Sequence, residues 1–155
     1  STTTTGSSII DWETAARRAG LAVPTTTLCC FHSDGGFAGA TAAIVRKAWD
    51  EARAGLDPAI GLRVLFSAHG LPESIVKAGD PYQWQVEQSV AEVVARLSLP
   101  DLDHVVCYQS RVTPQKWIGP STEEELERAA HDKVAVLVVP IASTSEHSAT
   151  LVERD

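Results

Sequence analysis

Apolar positions along the chain fall into two kinds of run. Short and nearly continuous runs at 25–31, 62–67, 105–108 and 133–139 predict strands, the last carrying Val-Ala-Val-Leu-Val-Val and stopped by Pro140. Between them the spacing changes to that of helices. Residues 40–54 place Ile44, Val45, Ala48, Trp49 and Ala52 at helical intervals after the turn signal Ser33-Asp34-Gly35-Gly36. Residues 82–97 repeat Val86, Val90, Val93, Val94 and Leu97 on one face. Ser121 with Glu124 three residues later is a capping box for a helix running to about His131. A polar lead at 1–8 reads as a loop, after which Asp11 caps a short helix ending near Gly20, and 146–155 reads as a final helix.

Strands that lack clean alternation and are separated by helices are buried on both faces, which is the signature of a parallel sheet. The predicted fold is therefore α/β, a four-stranded parallel sheet with helices on both faces. The expected division is an entry segment at 1–20, continuing from a preceding domain, and the α/β domain at 21–155. In such sheets ligands bind beyond the carboxyl ends of the strands, so the loops there hold the chemistry.

Composition narrows the function. The 155 residues carry a formal charge of −7, from 13 Lys and Arg against 20 Asp and Glu, so no nucleic acid partner is expected. A hydrophobic content of 44% suits a globular domain, and no apolar run reaches the roughly 20 residues that span a bilayer. Cys29, Cys30 and Cys107 have no CxxC spacing and sit in apolar contexts, which fits free thiols in a cytoplasmic setting. The chain starts at Ser1 and contains no methionine, so either an initiator is removed or the sequence is part of something longer. No Gly-x-Gly-x-x-Gly or phosphate-loop pattern follows any predicted strand, which ranks an unrelated α/β small-molecule-binding domain last.

Three strand ends carry candidate chemistry. After the second predicted strand comes Ser67-Ala68-His69-Gly70-Leu71-Pro72, an imidazole beside a glycine that permits close approach of a bulky ligand. After the third comes Tyr108-Gln109-Ser110-Arg111-Val112-Thr113-Pro114, then Trp117, Gly119 and Pro120, a rigid loop able to wall a flat apolar ligand. After the fourth comes Ile141 and a stretch in which Glu146, Ala149, Thr150 and Glu153 share one helical face. Each has a plainer reading. A strand-end histidine is commonly a hydrogen-bonded surface residue, Trp117 is as readily core, Arg111 pairs a carboxylate, and Glu146 favours a helix N-terminus whatever its role. His32, His104 and the acidic run 123–127 suggest no site.

These segments, together with Gly79-Asp80-Pro81-Tyr82 and the opening Ser1-Thr2-Thr3-Thr4-Thr5-Gly6-Ser7-Ser8, resemble the motifs of the ferrochelatase family, of bacterial type, in family order and at family-like spacing. The similarity is densest over 64–155 and matches the C-terminal portion of that family, one Rossmann-like half of a chelatase fold. The resemblance implies insertion of ferrous iron into a porphyrin in haem biosynthesis, with His69 as catalytic residue, acting as metal ligand, proton acceptor or both. It implies His69, Glu146 and Glu153 on the metal side and Leu71, Pro72, Val112 and Trp117 on the porphyrin side. Iron is the substrate metal, and no iron-sulfur cluster is expected in this chain. Peripheral membrane association and the oligomeric state stay open.

The sequence departs from the family at one position that bears directly on chemistry. Where the family has His-Ser-Glu-Thr-Leu, this chain has His147-Ser148-Ala149-Thr150-Leu151. A methyl group replaces neither the oxygen ligand nor the proton acceptor that a carboxylate supplies. Thr113 and Ser143 are smaller departures, standing where the family usually has a glycine and a bulky apolar residue. The alternative to the enzyme is thus a non-catalytic porphyrin- or metal-binding remnant.

Overall fold

The computed structural model describes residues 1–28, 30–110 and 113–142. The described residues form five α-helices and three strands: α1 (Ser7–Arg18), α2 (Gly35–Gly55), β1 (Leu62–His69), α3 (Glu73–Lys77), α4 (Tyr82–Leu97), β2 (His104–Gln109), α5 (Thr122–Asp132) and β3 (Ala135–Pro140). A π-helical turn, Thr2–Gly6, precedes α1. The strands form one parallel sheet in the order β2-β1-β3.

β1 is the central strand, paired on both edges, and it is the most completely covered of the three. Val64, Leu65 and Phe66 are fully buried, and Leu62, Ser67 and Ala68 nearly so. Val64, Phe66 and Ala68 join one core with Ala38, Ala42 and Val45 of α2 and Val86, Val90, Val93 and Leu97 of α4. The other face of the sheet meets α5. The Ser67 and Thr122 hydroxyls lie 2.9 Å apart, and the Thr122 hydroxyl donates to the Cys107 sulfur at 3.4 Å. Register puts Ser67 beside Cys107 and Ala68 beside Tyr108, as this division of faces requires.

The lower end of the sheet is tied by Arg63. Its guanidinium pairs with Asp103 at 2.9 Å and Asp132 at 3.0 Å, joining β1 to the residue preceding β2 and to the end of α5. The pairing holds the Asp132 carboxyl below its ordinary value through the hydrogen bond from Arg63.

Several expectations are corrected. The sheet has three strands rather than four, because the described residues of 25–31 form no strand. Threonines and cysteines there have strand propensity, but that propensity expresses packing on a half-buried surface, and Leu28 is 84% exposed. Cys30 is accordingly exposed, whereas Cys107 is buried in β2. Asp11 caps nothing: α1 begins at Ser7, whose hydroxyl donates back to the Thr3 and Thr4 carbonyls, and the lead read as a loop is the π-helical turn. α2 begins at Gly35, five residues before the predicted start, and its N-cap is Asp34, accepting from the Phe37 amide at 2.7 Å. Val45 faces the core as predicted, but Ile44 is 71% exposed. The expected helix 146–155 lies outside the described residues.

Candidate functional site at the carboxyl edge of the sheet

His69 is the last residue of β1 and is exposed, beyond the point where burial ends. Its backbone is held on both sides. The Tyr82 phenol donates to the His69 carbonyl at 3.0 Å, and the Gly70 amide donates to the Gln109 carbonyl of β2 at 2.7 Å. Burial raises the Tyr82 pKa to about 12, so this phenol stays protonated and donates across the physiological range.

Immediately after His69 the chain forms a wall with the loop that follows β2. The Ile118 amide donates to the Leu71 carbonyl at 3.0 Å, the Glu73 amide to the Lys116 carbonyl at 2.9 Å, and Pro72 lies opposite Trp117 in an antiparallel bridge. The Glu73 carboxylate holds Lys77 at 2.6 Å and Lys116 at 3.0 Å, and those hydrogen bonds lower its pKa. The Trp117 indole donates to the Thr113 carbonyl at 3.0 Å, which fixes the ring against its own loop. Leu71 and Pro72 are buried and Trp117 is half-buried. The geometry therefore brings Leu71, Pro72 and Trp117, predicted from two separate loops, into one unit adjoining His69.

The third strand delivers its loop to the same edge. The Ile141 amide donates to the Ser67 carbonyl at 3.0 Å, two residues before His69. Val112, Arg111, Ser143, Glu146, Ala149 and Glu153 lie outside the described residues. Among the described residues no three His, Cys, Asp or Glu side chains come together as a metal site. His69 is thus the one predicted metal-side group whose position is described.

Two features of the site escaped the sequence. Asp80 read only as part of a motif heading α4, yet it is 6% exposed and accepts from the Thr2 amide and hydroxyl, both at 2.6 Å. The Tyr108 phenol is buried and has no hydrogen-bond partner among the described residues, and burial drives its pKa up. An acidic residue two positions before a helix is a readable capping signal; a phenol's depth is not.

An exposed imidazole at the carboxyl edge of a parallel sheet, beside an apolar wall rigidified by its own backbone, defines an α/β protein whose ligand meets strand-end loops. Comparison with known proteins gives that class its family. A family model described as Ferrochelatase matches residues 1–155. A ferrochelatase of Caulobacter vibrioides (strain NA1000 / CB15N) is 48% identical over 155 residues, covering 100% of this chain and 42% of the relative. One from Pelagibacter ubique (strain HTCC1062) is 46% identical over 156 residues, covering 100% and 43%. One from Wolbachia pipientis wMel is 48% identical, covering 100% and 48%. The chain belongs to the ferrochelatase family, and it spans less than half the length of these curated relatives.

Proposed function

We propose that the chain supplies the His69-bearing α/β portion of a ferrochelatase that inserts ferrous iron into a porphyrin in haem biosynthesis, in the cytoplasm. The observation that carries this reading is the placement of His69 within a family match over residues 1–155: an exposed strand-end imidazole adjoining the Leu71-Pro72-Trp117 wall. A flat macrocycle laid on that wall presents its centre to the imidazole. Metalation must strip water from the ion and remove two pyrrole protons, and a neutral imidazole can bind a borderline divalent metal or take a proton near neutral pH. Val112 would extend the wall, and Glu146 and Glu153 would serve the metal side.

Ala149 favours a second reading. With no carboxylate at that position, the chain would retain porphyrin or metal binding without turnover. Anaerobic Fe²⁺ insertion followed by porphyrin absorption, on this chain and on Ala149→Glu, separates the two. The enzyme reading expects turnover to rise by about 100-fold or more on restoring the carboxylate, the usual scale of a general base, and to be lost in His69→Ala. Folded protein that quenches its tryptophan emission with porphyrin but turns over in neither form is the outcome of the binding-remnant reading.

No described helix is long and apolar enough to cross a membrane. The acidic balance continues to argue against a nucleic acid partner.

A further inference from the structure

Asp80 sits in the turn between α3 and α4 with both carboxylate oxygens occupied. Oδ2 accepts from the Thr2 amide at 2.6 Å, the Thr2 hydroxyl at 2.6 Å and the Ser1 hydroxyl at 3.2 Å. Oδ1 accepts from the Tyr82 amide at 2.9 Å. Tyr82 then donates through its phenol to the His69 carbonyl. A continuous path of hydrogen bonds thus runs from the first two residues, through one buried carboxylate and the first residue of α4, to the peptide group that follows His69.

The residue type at 80 is dictated by its donors. A carboxylate offers acceptors only, and four donors converge on it from two sides. An asparagine of the same shape could turn its oxygen toward Thr2 and Ser1, but its NH₂ would then face the Tyr82 amide, donor against donor. Turned the other way, its NH₂ would oppose the Thr2 amide, which can only donate. Either choice releases one side, and an unsatisfied buried group is costly enough to move its surroundings.

We propose that Asp80 is a positioning residue for His69. It fixes the first turn of α4, that turn aims the Tyr82 phenol at the His69 carbonyl, and the peptide plane so held sets where the imidazole stands. The proposal rests on the reading of His69 as the working imidazole. Displacements of about 1 Å far from the chemistry can cost about 100-fold in rate, so a link of this length matters.

NMR of the labelled 155-residue chain tests it in Asp80→Asn, Tyr82→Phe and the double variant. The His69 carbonyl carbon is expected to move upfield in both single variants, with the His69 ring resonances moving in the same direction in each. The double variant should coincide with Tyr82→Phe, because the two act in series. His104 and His131, at the opposite end of the sheet, should not move. A stationary His69 in Asp80→Asn, a double variant displaced by the sum of the singles, or all three histidines shifting together overturns the proposal. If Asp80→Asn does not fold, Thr2→Val removes one donor only; it should shift His69 in the same direction by less, and no shift overturns the proposal. Iron insertion is read separately with His69→Ala: turnover indifferent to that change, with the His69 shifts present, sinks the function and leaves Asp80's positioning role standing.

Discussion

Asp80 shows how one buried charge makes a local structure depend on pH. Burial raises its pKa, but the hydrogen bonds from Thr2, Tyr82 and Ser1 outweigh that, and the net displacement is downward. A carboxyl whose pKa is lowered by folding stabilises the protein above its unfolded value, about 3.9, and loses that contribution as pH falls through its folded value. The urea midpoints of the chain and of Asp80→Asn should therefore lie furthest apart near neutrality and converge below about pH 4. A separation that does not change with pH would contradict this assignment. At the opposite extreme, Phe66 is fully buried in the central strand, with the His104 ring edge-on at 6.2 Å. Phe66→Ala should cost about 3–5 kcal/mol in equilibrium unfolding, the range for emptying a core aromatic site.

Among the elements, those that bury a face were the ones legible in the sequence. α4 appears at 82–97 as predicted, because Val86, Val90, Val93 and Leu97 all meet the core. α5 starts at its capping box, with the Glu124 amide donating to the Ser121 hydroxyl at 3.0 Å and the Ser121 amide to the Glu124 carboxylate at 2.7 Å. Ser121→Ala should lower stability by about 1 kcal/mol, measured by thermal or urea unfolding, with Glu124→Gln milder. The strand expected at 25–31 fails because propensity cannot supply a surface to pack on, and α3 went unseen because five residues carry no period. The candidate site divides in the same way. His69 and Trp117 stood out by residue type at strand ends, and Leu71 and Pro72 through the resemblance to the family's motifs. The bond from Tyr82 to His69 and the anchoring of Thr2 by Asp80 depend on contacts 13 and 78 residues apart in sequence, which no local pattern encodes.

For the whole molecule, the strand order β2-β1-β3 carries a consequence for synthesis. The strand richest in fully buried apolar residues is made first, and both of its partners come later in the chain. Roughly 70 residues must follow His69 before β3 is complete, which at about 5–20 residues per second is on the order of 4–14 s on the ribosome. Throughout that interval β1 has at least one unpaired edge, and the nascent chain presents to its surroundings the segment best suited to pairing with another copy. The interval between β1 and β3 on the ribosome is then one in which a chaperone would shield that edge.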